Sequence, residues 1–296
     1  MSHPLSMVLI LVALTHLLRG LTRFVGPRWG GLVLGLPYTS ALAMAGTGLD
    51  QGRHAAAEMA TSGLLGLVAA VAVPVGFARA VGRGWGASAA GALGAGCYAL
   101  IAALGGASGL FGCHAGPLLL LSLGSVLIAA YLARTGPEPD RDGGRAARRD
   151  GISPGRAAIL RTLVPAGCLS IVLTVRASAG PGWAGLIAPF PGLTLTMLVV
   201  TYLESGPGEA CRMARVVPAS NLGMVAFFGT CGTVAPGWGL GAAMLAGYAS
   251  AIVGMLAAER WTRAPGSWLP RFGQAGAACR RWAREPRFAP CFEILV

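Results

Sequence analysis

Long apolar runs, each closed by a short polar or glycine–proline break, recur along the whole chain. The hydrocarbon core of a bilayer takes about 20 mostly apolar residues in an α-helix. Nine segments meet that length: Pro4–Thr22, Gly30–Leu49, Ala55–Ala80, Trp85–Gly106, Gly116–Ala133, Ala157–Arg176, Trp183–Leu203, Ala210–Val234 and Trp238–Ala258. The pattern predicts an all-α fold, a polytopic membrane bundle of about nine transmembrane helices. Met1–Thr15 holds no arginine, and Arg19 and Arg23 follow the apolar run, so the first segment reads as a retained helix rather than a signal peptide.

Composition supports the same class. Hydrophobic residues make up 54% of the 296 and charged ones 11%, against roughly a quarter charged in a soluble domain. Forty-six glycines suit helices that must approach closely where lipid supplies no hydrophobic drive. The net charge of +12 comes wholly from arginine. Its distribution matches the positive-inside rule better than a nucleic-acid footprint. If the loop Thr135–Arg156 is cytoplasmic, then Arg19, Arg23 and Arg28, Arg79 and Arg83, Arg212 and Arg215 and the arginine-rich tail fall on the same side. The outer loops hold only Arg53 and Arg176. The chain is therefore expected in the inner (plasma) membrane, N-terminus outside and C-terminus in the cytoplasm, with the bilayer as its first partner and no nucleic acid. The seven cysteines form no CxxC pattern and Cys113–His114 is too few ligands for a metal, so neither a metal nor another cofactor is expected.

One phrase occurs twice. "GPRWGGLVLGLP" starts at Gly26 and "GPGWAGLIAPFP" at Gly180. At that offset Pro27 meets Pro181, Trp29 meets Trp183, Pro37 meets Pro191, Thr47 meets Thr201, Gly52 meets Gly206, Met59 meets Met213 and Ala60 meets Ala214. After a one-residue slip, Gly84-Trp85-Gly86 meets Gly237-Trp238-Gly239. The matched segments are the second and the seventh. An odd number of crossings between them sends the copies into the membrane in opposite directions, a 5+4 inverted-topology repeat of the kind on which secondary transporters are built. The implied organisation is a first repeat at 1–135, a cytoplasmic linker at 136–156, a second repeat at 157–261 and a basic cytoplasmic tail at 262–296.

The stretch "AGLIAPFPGLTL", Ala184–Leu195, with the helix after it, resembles the GlpM-type small inner-membrane proteins. The resemblance covers roughly the sixth to eighth segments, and the first copy departs from it, with Gly35 and Leu36 where Pro189 and Phe190 stand. It implies a shared membrane unit, doubled and fused here, and a link to exopolysaccharide (alginate) production.

Candidate chemistry is sparse. Pro37, Ser40, Met44, Thr47 and Asp50 step along one helical face, and Pro191, Thr194, Leu198, Thr201 and Glu204 repeat the stripe. Each proline removes an amide donor and leaves carbonyls that protein, water or ligand must satisfy at membrane depth. Such a broken helix facing its twin suits solute binding, whereas a packing role needs only that each hydroxyl bonds back one turn. Pro37, Ser40, Thr47, Pro191, Thr194, Thr201 and Asn221 are therefore the candidate substrate-binding residues. His16, a titratable side chain inside a span, and Asp50 and Glu204, expected near opposite surfaces, are the candidates for gating or proton coupling.

The chain lacks a nucleotide-binding loop, a G-x-S-x-G or HExxH sequence, and an acidic pair on one helix, so no enzyme activity is expected. The expectation is a secondary carrier, gradient-driven or facilitative, of a small neutral or weakly polar solute. The alternative is a non-catalytic accessory subunit of an envelope or exopolysaccharide system, with another copy of the chain or an envelope complex as its partner.

Overall fold

The computed structural model describes residues 37–109, 115–135 and 154–263, with Ile10 and Ala13 alone in the N-terminal segment. Every element among the described residues is helical: α1 Tyr38–Gln51, α2 Arg53–Ala70, α3 Ala72–Gly82, α4 Ala87–Ala107, α5 Ala115–Thr135, α6 Pro154–Ala179, α7 Pro181–Ile187, α8 Gly192–Ser205 and α9 Pro207–Arg263. Residues up to Glu259 form one compact unit. The second unit begins at Arg260, and its described part is the end of α9.

Six described helices are long and apolar enough to cross a membrane: Arg53–Gly82, Ala87–Ala107, Ala115–Leu132, Thr162–Ala179, Pro181–Ser205 and Pro207–Ala258. The expected nine reduce to six for identifiable reasons. The segment Pro4–Thr22 lies outside the described residues apart from Ile10 and Ala13. The second segment is described only from Pro37, and α1 is too short to span alone. Pro207–Ala258 contains two of the expected segments. Its 52 residues would reach about 78 Å as a straight rod, well over twice the hydrocarbon thickness. Gly239, at φ 84° and ψ 171°, breaks it. The two arms fold back on each other: the Thr230 hydroxyl donates to Ser250 Oγ at 2.9 Å, and Ser250 Oγ reaches Ala226 O at 3.1 Å. A Cβ on Gly223 would meet Ala251 O at 3.0 Å.

Arg53–Gly82 is the central helix. In its apolar window 72% of residues are buried, against 22–39% in the other spans. It bends at Val71, between α2 and α3, because Pro74 has no N–H to offer the Ala70 carbonyl. Around it the outer helices turn large apolar side chains outward: Leu100 and Leu104 on α4, Leu120 and Ile128 on α5, Leu163 and Ile171 on α6, and Leu245 and Val253 on α9. Apolar surface this extensive is unusual for a soluble domain. It is the surface a helical bundle presents to lipid.

α7 lies across α2 with backbone nearly touching backbone. A Cβ on Gly185 would run into Met59 O, and one on Gly66 into Leu186 O. Close approach of this kind replaces hydrophobic drive as the source of helix association in lipid.

Local geometry repeats at the doubled sequence. Pro37 has φ −80°, ψ 52° and Pro191 has φ −82°, ψ 55°. Ala41 N bonds Pro37 O at 2.7 Å, and Leu195 N bonds Pro191 O at 2.7 Å. The single-residue links after these helices, Gly52 (88°, 172°) and Gly206 (93°, 172°), share a conformation essentially confined to glycine. Across each hairpin a threonine faces a methionine sulfur, Thr47–Met59 at 3.1 Å and Thr201–Met213 at 3.6 Å. The third matched phrase departs from this identity: Gly84 carries the positive φ in the first copy and Gly239 in the second, rather than Gly237.

The two glycine turns sit against different ends of Arg53–Gly82. Beside the Gly52 turn, Asp50 pairs with Arg176 at 2.7 Å, and a Cβ on Gly48 would meet the Leu240 side chain. Near the Gly206 turn, Leu198, Ala210, Cys211 and Ala214 cluster with Phe77, Ala80 and Val81, and Tyr202 OH lies 3.5 Å from Trp85 O.

Gly185→Val places side-chain atoms where Met59 O now sits. It is expected to destabilise the fold by about 3 kcal/mol. Gly96→Ala, with nothing within 4 Å of its added Cβ, is expected to be neutral or slightly stabilising. Thermal unfolding in detergent compares the two. Equal midpoints would remove the close α2–α7 approach.

Candidate functional site

The break between α7 and α8 interrupts the span Pro181–Ser205. Ala188 and Pro189 turn, and Phe190 and Pro191 leave the helix before Gly192 restarts it. Pro189 and Pro191 lack amide hydrogens, so carbonyls in the preceding turn lose their i+4 donors. Phe190 N bonds Ile187 O at 2.9 Å and Gly192 N bonds Phe190 O at 2.8 Å. Side chains add further donors. Tyr98 OH, on α4, lies 2.8 Å from Leu186 O and 3.2 Å from Ile187 O. The Ser40 hydroxyl, on α1, donates to Ala188 O at 2.9 Å. Phe190 stands edge-on to the Tyr98 ring at 4.9 Å between centroids, and a Cβ on Gly192 would meet Cys168 Sγ at 2.6 Å. Protein donors thus satisfy three consecutive carbonyls that would be costly to leave bare in lipid.

The sequence candidates fall into three groups. Of Pro37, Ser40 and Thr47 on the first stripe, Ser40 reaches the break, whereas Thr47 faces Met59 Sδ on α2. Ser40 and Thr47 are fully buried, and the Thr47 hydroxyl also lies 2.9 Å from Ala43 O, one turn back. Pro191 forms the break itself. Thr194 and Thr201 on α8 are half-buried, so the second stripe is less enclosed than the first. Asn221 is buried midway along the first arm of α9, and its Nδ2 has no hydrogen-bond partner among the described residues. Asp50 and Glu204 are exposed at the helix ends, outside the midplane group. His16 lies outside the described residues. Among the described residues, no three His, Cys, Asp or Glu side chains gather as metal ligands would.

Two participants escape the sequence patterns. Tyr98 is a lone aromatic in a glycine- and alanine-rich helix without a counterpart in the other half, so neither periodicity nor repetition selects it. Arg176 reads as a loop charge from the sequence. It lies inside α6, three residues before the helix ends, with its side chain 12% exposed. An arginine within an apolar run was the available signal.

Tyr98→Phe keeps the ring and removes the donor, leaving Leu186 O and Ile187 O without it. A loss of about 1–3 kcal/mol is expected. Ser40→Ala is expected to cost a similar amount, because each change removes one hydroxyl donor from the break and Ile187 O keeps Phe190 N. Thr201→Val, whose contact is a long hydroxyl–sulfur approach, is expected to cost little. Chemical or thermal denaturation in micelles ranks the three, and a Tyr98→Phe protein as stable as the parent would show that the break does not depend on this bond.

Comparison with protein-family models, curated proteins and solved structures finds no match for this chain.

Proposed function

We propose that this chain is a secondary carrier of a small, neutral or weakly polar solute, built as an inverted repeat of two membrane units. One observation carries the reading. Two stretches of alike sequence adopt the same proline-started helix, glycine turn and Thr–Met contact, and their turns lie against opposite ends of the central helix. Two copies related in this way can exchange conformations and so expose a central site to each side in turn. The candidate path runs by the break at 188–191, between α1 and α8, with Ser40, Thr47, Thr194, Thr201 and Asn221 as its polar groups. The repeat boundaries 1–135 and 157–261, the nine-span count and the doubled GlpM-like unit belong to the same proposal. The activity is carriage, without catalysis.

Arginine placement supports one orientation. Arg79, Arg83, Arg212 and Arg215 sit towards the Gly206 end and Arg53 and Arg176 towards the Gly52 end. The positive-inside rule then puts the Gly206 end and the C-terminal tail in the cytoplasm of a bacterial-type inner membrane, with the N-terminus outside.

The second reading, a non-catalytic accessory subunit of an envelope system, draws on a different observation. Ser40, Met44 and Thr47 are wholly buried, and both hydroxyls are bonded inside the protein. In a scaffold those bonds are permanent. In a carrier they close the path in one conformation and open in another.

Gln51 and Ser205 are exposed, matched residues of the two copies. In a cysteine-free background, Gln51→Cys is expected to react with a membrane-impermeant maleimide from the outer face and Ser205→Cys from the cytoplasmic face. Labelling of both from one face ends the inverted-repeat reading. For transport, proteoliposome swelling in glycerol, erythritol and urea is expected to show protein-dependent entry of at least one solute, reduced tenfold or more by Ser40→Ala with Thr194→Val at unchanged protein level. Entry no faster than in empty liposomes for the whole panel favours the accessory subunit.

A further inference from the structure

Arg176 is a fixed cation set within an apolar helical window, Thr162–Ala179. Charge in such a place marks function by default, and the first question is its partner. Asp50 supplies one contact, Oδ2 on Nη2 at 2.7 Å, and it is the more exposed of the two, 35% against 12%. A guanidinium offers five N–H donors in a planar fork and cannot shed its proton. Here Nε and Nη1 are buried and have no hydrogen-bond partner among the described residues. Asp50 therefore neutralises the charge and leaves much of the hydrogen-bonding capacity unused.

We propose that Arg176 is the core of a binding site for a small carboxylate at the Gly52 end of the bundle, with Asp50 as its internal competitor. A carboxylate matches the fork in plane and spacing and accepts two parallel N–H bonds. Among the described residues, the charged or titratable side chains near this end are Asp50, Arg53, His54, Glu58 and Arg176. The acids and arginines balance, so selectivity rests on short-range hydrogen bonds to Arg176 rather than on a long-range field. Asp50 lies ten residues beyond Ser40 on α1, about 15 Å along the axis. This site at the helix ends is separate from the polar groups at the helix break. Occupancy has a structural consequence, because the Asp50–Arg176 pair ties the end of α1 to the end of α6. A carboxylate on Arg176 releases that tie. The binding chemistry stands apart from the carrier reading; only its use as a latch on the path rests on it.

The test uses the full chain in nanodiscs, titrated with sodium acetate in place of sodium chloride at constant ionic strength. Its readout is the thermal unfolding midpoint. A saturable rise is expected, with the half-saturating concentration lowered about tenfold or more in Asp50→Asn, since the competing negative charge is gone. Arg176→Lys is expected to bind more weakly, and Arg176→Gln to lose the saturable rise. If Arg176→Gln does not fold, Asp50→Asn decides, because it leaves the fork intact. Absence of saturation in both the parent and Asp50→Asn overturns the site, as does a saturable rise that survives Arg176→Gln. Saturation by acetate without solute flux removes the carrier reading and keeps the site. Flux without acetate saturation does the reverse.

Discussion

The architecture depends on the interrupted helix between α7 and α8 and on how its backbone is satisfied. Prolines at 189 and 191 withdraw donors from carbonyls at membrane depth, where water is scarce. Around the gap, Tyr98 from α4 and Ser40 from α1 bring hydroxyl donors to Leu186 O, Ile187 O and Ala188 O. The break thereby joins three elements that are remote in sequence. Its position is fixed again by glycine: Gly185 and Gly66 let α7 and α2 meet at backbone distance, and a side chain at either position would push apart the group that carries the hydrogen bonds. Proline opens the helix, two hydroxyls satisfy it, and two glycines hold it against the central span.

This arrangement bears on function because the two copies of the repeat are alike locally and unequal in their surroundings. Each begins its helix at a proline of the same φ and ψ and ends at a glycine of the same conformation. The first copy's hydroxyls are sealed, whereas Thr194 and Thr201 remain half-buried. Under the proposed carrier reading, that inequality would correspond to one of two resting conformations. The same inequality in a scaffold has no second state to exchange with. The physical difference lies in whether the Ser40–Ala188 bond opens.

Among the described residues, most charge lies towards the helix ends and is not evenly placed there. Glu209 and Arg212 form an exposed pair one turn apart, a geometry that contributes little. Asp50 and Arg176 are drawn from different helices and partly enclosed, so their pairing ties distant chain segments as well as balancing charge. Arg176 inside α6 also changes the picture of the outer surface drawn from the sequence, in which it is a loop residue. A helix that continues three residues past the arginine places the guanidinium against protein instead of water.

The sequence by itself determined the class. Runs of about 20 apolar residues and a low charge content leave a helical membrane bundle as the reading; five of the expected spans between 53 and 205 have near counterparts in the structure, while the last two fall within one span, Pro207–Ala258. The doubled phrase also pointed to the proline break at 189–191, because proline withdraws a backbone donor wherever it stands; the matching backbone of Gly52 and Gly206 came from the structure. Tertiary structure alone decided which groups satisfy the freed carbonyls. Ser40 carries a hydroxyl that bonds equally well one turn back or across to another helix, and only the packing of α1 on the break chooses Ala188. Tyr98 follows no period and has no twin, so its role exists only once α4 is laid beside α7. Arg176 and Asp50 are 126 residues apart, and a contact at that separation depends on the folded arrangement of the helices, which local sequence pattern does not encode.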